Sequence, residues 1–379
     1  MTILMTVVNI FLLIIMIITF LLPFLSMLIY RFKPQKKMQK ELSESKGSQK
    51  DKISHIICAY NEEKIIYKKL TNAISISYPC DFEIIVISDG SEDKTDEEIK
   101  RLKHPKIKYF RQSHKGKSEA QNLGVKKSTG NILLFSDANT FFKKDSVIHL
   151  YRKLKENYGC VGANILYFKG KNEINVENFY YKVESVFKKL LSEKGKLLSL
   201  HGGGYIMKKD LYEPLPSSVL SDLVIPIITL MKNQRVGFEE NALAFEPPVP
   251  DEFREIIKRR RRIFTRGLYS IFWILNKYKS QIFKKLDILT YLILYKFLRY
   301  TIALTFIILL ITGLFTLPFY KILFFSGTGT FILLPLLLYK NKRIKKMYYF
   351  FWALIFSSFL ALIDLMRGKK YLTWNPRGT

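Results

Sequence analysis

Cysteine is scarce here: three in 379 residues, at positions 58, 80 and 160. Being odd in number and far apart, they build neither a disulfide framework nor a zinc-ligand spacing, and they suit a reducing cytosol. Acidic side chains are also in deficit, 32 against 61 Lys plus Arg, for a formal charge of +29. From Met1 to Tyr30 charged side chains are missing altogether. That run exceeds the roughly 20 apolar residues needed to cross a bilayer. Without a basic leader or a small-residue cleavage site, it does not read as a removable secretory signal. The expectation is a transmembrane anchor over 1–32. Arg31, Lys33, Lys36 and Lys37 then keep the following flank in the cytoplasm.

The basic excess asks for an anionic partner. A nucleic-acid binder would gather it into one dense stripe. Here it flanks apolar segments and spreads through the polar part of the chain, which fits lipid headgroups and a phosphate-bearing substrate. Nucleic acid is therefore not expected as a partner.

What is present divides along the chain. Residues 33–52, rich in Lys, Gln, Glu and Ser, read as a linker. Over 53–250 short apolar runs alternate with helical patterns, the signature of an α/β domain. Strands are expected over 53–58, 82–88, 106–110 and 132–136, with helices over 61–73, 93–102 and 118–127. Residues 251–299 mix Arg and Lys with large apolar side chains, as in helices lying at a membrane interface. Three near-spanning apolar stretches follow within 300–366, at about 300–318, 322–339 and 348–365. Residues 367–379 form a tail.

Two of the strand runs end in a carboxylate, Asp89 and Asp137. Unpatterned, β-branched runs of this kind are buried on both faces of a parallel sheet, whose ligand crevice lies beyond the carboxyl ends of the strands. Asp89 to Thr95 and Asp137 to Thr140 are short and oxygen-rich. They suit a nucleotide sugar and the metal ion on its diphosphate.

Four segments in order carry a named resemblance: Cys58 to Glu63, Asp89 to Thr95, Gly116-Lys117 with Asn122 to Gly124, and Ser136 to Thr140. Over about residues 53–263 the chain resembles family 2 glycosyltransferases. The membrane-integrated branch that makes hyaluronan, cellulose and poly-N-acetylglucosamine fits the layout best. The fold implied is a GT-A-like nucleotide-sugar-binding α/β domain with a mostly parallel sheet, held between N- and C-terminal transmembrane helices. The resemblance implies that Ala59, Tyr60 and Glu62 hold the nucleoside and that Asp89 accepts hydrogen bonds from the base. Lys117 reaches the diphosphate. Asp137 binds Mg²⁺ or Mn²⁺ with help from Asn139, which stands where the family usually has a second Asp. Gly203 and Gly204 line the acceptor site; a simple glycine hinge is the alternative.

Asp222 is implied as the base that deprotonates the acceptor hydroxyl, although Ser221-Asp222 before an apolar run is also ordinary helix-capping chemistry. Arg259 and Arg262 match the first and fourth positions of the Gln-x-x-Arg-Trp motif of processive synthases, with Ile263 in place of the Trp. Lys258 to Arg262 could equally be a lipid-binding cluster. Trp374 resembles the Trp of a gating loop that must be cytoplasmic, whereas three crossings would leave the tail outside. The expected activity is inverting, metal-dependent transfer from a UDP-sugar to a growing polysaccharide at a cell inner membrane. The alternatives are single addition to a lipid-linked acceptor and a non-catalytic nucleotide-sensing subunit. Membrane lipids and export subunits complete the expected partners.

Overall fold

The computed structural model describes residues 1–14, 17, 50–167, 185–186, 188–247, 252–337 and 342–372. Eight strands form one sheet: β1 Lys52–Ala59, β2 Asp81–Asp89, β3 Ile107–Gln112, β4 Ile132–Asp137, β5 Phe141–Phe142, β6 Tyr158–Tyr167, β7 Gly204–Lys208 and β8 Arg235–Glu246. Their order is β3-β2-β1-β4-β7-β6-β8-β5. The first four run parallel, β7 is antiparallel to both β4 and β6, and β8 runs parallel to β6. The result is the mostly parallel α/β sheet of a GT-A-like fold.

Burial on both faces explains why the apolar runs lack alternation. In β1, Ile56 and Cys58 join the core that holds Ala120 and Leu223, while Ile53 and Ile57 point into cores on the other face. Helices Ile66–Ser75 (α1), Thr95–Arg101 (α2), Lys117–Lys127 (α3), Ser146–Lys155 (α4) and Ser221–Met231 (α5) cover these faces. The chain passes from β1 outward to β2 and β3, then returns to pair β4 on the other side of β1. That reversal is a topological switch point, where α/β sheets bind ligands. The register places Cys58 opposite Asp137 on one side and Ile87 on the other.

The long helix Phe253–Lys277 (α6) buries Phe264, Leu268, Ile271 and Ile274 in the same core as α5. Its inner face is thus a wall of the domain. Helices Ile302–Gly313 (α7), Pro318–Leu337 (α8) and Lys342–Met366 (α9) follow. Among the described residues one helical segment, Tyr348–Met366, is long and apolar enough to cross a membrane. Within the expected crossing over 300–318 the helix is the 12-residue Ile302–Gly313, which meets the preceding segment Leu286–Tyr300 at a 78° bend. At the other end, only residues 1–14, with the apolar helix Thr2–Ile14, and residue 17 of the expected 1–32 anchor are described. Buried Asn9 donates 2.7 Å hydrogen bonds to the Leu309 carbonyl and the Thr312 hydroxyl, fastening that helix to α7.

Candidate active site

A cavity of about 250 Å³ opens between the ends of β1 and β4, the segment before β7, the start of α5 and one face of α6. Glu62, Lys117, Asp137, Asn139, Gly203, Asp222, Arg259 and Arg262 all line it, although they span two hundred residues of sequence. Each arrives by a local device. Lys117 opens α3 directly after Gly116, whose φ of 96° suits glycine alone. Asp222 lies in the first turn of α5, following the extended Leu220. Arg259 and Arg262 are three residues apart and share one side of α6.

The Lys117 ammonium donates to Asp137 and, at 3.2 Å, to the Gly202 carbonyl. Burial works against its charge, but Asp137 outweighs this and holds it above the ordinary lysine range. A Cβ placed on Gly202 would lie 3.3 Å from the Lys117 ammonium and 3.5 Å from Asp222 Oδ2. A side chain there would press on both groups. At Gly203 a Cβ would come within 2.0 Å of Glu246 Oε1, so this turn admits only glycine. Gly204, by contrast, is buried inside β7 against Phe142.

The nucleoside-side residues are arranged differently from the cavity group. Ala59 is fully buried. The Tyr60 ring stacks on His114 with centroids 3.8 Å apart. The buried Asp89 carboxylate accepts from Gln112 Nε2 at 2.6 Å and from the backbone N–H groups of Lys115 and Gly116 at 2.9 and 2.8 Å. In this arrangement Asp89 fastens the loop that delivers Lys117. Trp374 lies outside the described residues.

Other participants were not singled out from the sequence. Lys69, fully buried on α1, donates a 2.5 Å hydrogen bond to the Thr140 carbonyl, at the end of the turn that carries Asp137 and Asn139. Burial lowers its pKa to about 7, although the carboxylates of Asp137 and Glu246 pull it upward. Glu246, buried at the end of β8, accepts at 2.9 Å from the Thr140 hydroxyl. A single polar residue within an otherwise apolar helix face or strand end was the only signal available for either.

Asp137 and Asn139 present two hard oxygen donors on one wall. Among the described residues no group of three or more His, Cys, Asp or Glu side chains is placed to share an ion. This donor set fits a divalent cation that completes its shell with diphosphate oxygens and water, the habit of Mg²⁺.

Residues 54–215 match the family described as Glycosyl transferase family 2. The chain is 30% identical over 179 residues to glycosyltransferase GlyA of Streptococcus pneumoniae, covering 44% of this chain and 25% of that protein. It is 25% identical over 253 residues to the poly-beta-1,6-N-acetyl-D-glucosamine synthase of Staphylococcus epidermidis, covering 63% of this chain and 61% of that one. It therefore spans less than two thirds of the length of either relative. Its fold is similar to that of the mannosyltransferase PcManGT from Pyrobaculum calidifontis, solved in complex with GDP-Man and Mn²⁺. The TM-score is 0.60 at 18% identity, over 95% of this chain and 100% of that one. Residues 54–215 thus match a family 2 glycosyltransferase domain, and the relatives that resemble the chain over this region are a glycosyltransferase and a polysaccharide synthase by name.

Proposed function

We propose that the chain transfers a sugar, with inversion, from a nucleotide donor (UDP-linked) to a hydroxyl of a glycan acceptor at the cytoplasmic side of a membrane. The observation that carries this reading is the convergence of Lys117, Asp137 and Asp222 around Gly202 in one cavity. A cation for the diphosphate and a carboxylate for the acceptor stand on either side of a position that has no side chain.

In the proposed reaction Asp222 takes the proton from the acceptor hydroxyl. The freed oxygen forms its bond to the anomeric carbon from the face opposite the diphosphate. The bond from that carbon to the phosphate oxygen breaks, and its electron pair departs with the nucleotide. Lys117, Arg259 and Arg262 offset the charge that accumulates there. Asp137 and Asn139 would hold Mg²⁺ or Mn²⁺, which when bound adds electrostatic stabilisation of the leaving group.

The membrane setting rests on the Tyr348–Met366 helix, the apolar helices before it and their junction with the N-terminal helix through Asn9. A carboxylate acting as base contributes about 10²–10⁴-fold. Asp222→Asn should therefore lower kcat by that order while donor KM changes little. Turnover by this variant at the parent's rate would remove Asp222 from the mechanism. No turnover by the parent with any UDP- or GDP-sugar and Mn²⁺ would favour a nucleotide-sensing subunit instead.

A further inference from the structure

Five basic residues in a row, Lys258 to Arg262, cannot all face one way, since each step along a helix turns about 100°. Arg259, Arg260 and Arg262 line the cavity. Arg261 points instead to α9. Its guanidinium donates to Asp364, from Nε to Oδ2 at 2.6 Å and from Nη2 to Oδ1 at 2.5 Å. The Tyr371 hydroxyl adds a third donor, 2.8 Å from Oδ2.

Asp364 stands out in its own helix. It is the only acidic side chain in the sequence after Asp287, and it is 1% exposed within the apolar Tyr348–Met366 segment. A carboxylate in such a place is costly unless its charge is paired and its oxygens accept hydrogen bonds. Here a two-pronged contact meets both conditions, and such a contact brings geometric specificity as well as energy. The rest of the interface follows the same line. Phe253 meets Phe356, the Ser357 hydroxyl donates to the Ile257 carbonyl at 3.3 Å, and the Lys370 ammonium lies over the Tyr269 ring. Residue numbers rise together on both sides, so α6 and α9 lie side by side and run in the same direction. α6 is therefore gripped on two sides, by the domain core through Phe264 and Leu268 and by α9 through Arg261.

Resting on the glycosyl-transfer reading, we infer that Asp364 is a positioning residue for the reaction. By holding Arg261 it fixes the rotation of α6, and with it the aim of Arg259 and Arg262 at the leaving diphosphate. The donor site is thus set in part by a carboxylate on the last helix, 103 residues further along the chain than the arginine it holds.

The test reads diphosphate recognition apart from the rest of the nucleotide. The full chain in detergent, with Mn²⁺, is titrated with UDP and with UMP, which lacks the second phosphate. The parent should bind UDP about tenfold or more tightly than UMP, the strength of one or two charge-assisted contacts. Asp364→Asn should lose most of that preference while UMP affinity stays within about twofold. Should this variant fail to fold, Arg261→Lys decides in its place. It keeps the charge but not the two-pronged fit, and its preference for UDP should fall about threefold or more. An unchanged preference in a folded variant overturns the inference, as does an equal loss of UMP and UDP binding. A parent that binds neither nucleotide would overturn the transfer reading itself, and the inference with it, before any variant is compared.

Discussion

The Arg266 guanidinium donates a 2.6 Å hydrogen bond to the Val219 carbonyl, three residues before Asp222, and a second at 3.1 Å to the Ser217 carbonyl. The Ser270 hydroxyl, one turn further along α6, accepts from Leu220 N–H at 2.8 Å. The segment leading into the carboxylate is therefore hung from α6, the helix that also supplies Arg259 and Arg262. Burial, with Arg262 adding repulsion, brings the Arg266 pKa down to about 10, so it remains charged at neutral pH.

On the proposed mechanism Arg266 is a positioning residue for Asp222, and its loss should separate kcat from KM. An error of about 1 Å in a reacting group can cost on the order of 10²-fold in rate. Arg266→Met should lower kcat by about 10- to 100-fold and leave donor KM within about twofold. Arg266→Lys, able to reach one carbonyl, should recover part of the loss. Steady-state kinetics on both variants checks this. A rise in donor KM at constant kcat would mean that Arg266 serves the donor directly.

Lys69 gives the protein a pH signature. Its folded pKa is about 7, lowered from the ordinary lysine value of 10.5 chiefly by burial. Between those values the unfolded chain holds a proton that the folded chain has released, so this group makes stability rise with pH across that window. Below about pH 7 both states are protonated and its slope vanishes. The largest contribution is about 1.4 kcal/mol per pH unit. Lys69→Met should flatten the urea-unfolding stability between pH 7.5 and 9.5 relative to the parent. An unchanged slope would mean that Lys69 stays charged in the fold.

The buried strands were legible because two-sided burial leaves an unbroken apolar run. The segments 53–58, 82–88 and 132–136 each extend by only one or two residues in the structure. The helix expected from Asn61 instead begins at Ile66. Asn61 adopts a φ of 51°, and the backbone N–H groups of Glu62 and Glu63 donate to Thr95 and Asp93, thirty residues on. A pairing between loops leaves no local pattern. The same reason hides Lys69, Glu246 and Arg266, whose importance lies in partners from other elements. Asp137, Asn139, Lys117 and Asp222 could be grouped because they recur in a familiar order. The apolar helical segments were readable as composition, but the 78° bend near Thr301 was not, since no proline or glycine marks it.

The Lys117–Asp137 pair also sets an expectation for the metal. An ammonium resting on the carboxylate competes with a cation for the same oxygens, and Asn139 contributes no charge to help the ion win. Lys117→Met should therefore bind Mn²⁺ more tightly than the parent when donor is absent, by about tenfold, a gain of roughly 1.4 kcal/mol. The same variant should bind the nucleotide sugar more weakly if, as proposed, Lys117 contacts the diphosphate. Asn139→Asp should also tighten Mn²⁺, but with donor affinity retained. Electron paramagnetic resonance titration of free Mn²⁺, with and without donor, measures both effects. If neither substitution changes Mn²⁺ binding, the ion is not held by this wall of the cavity, and Asp137 is left as the anchor of Lys117.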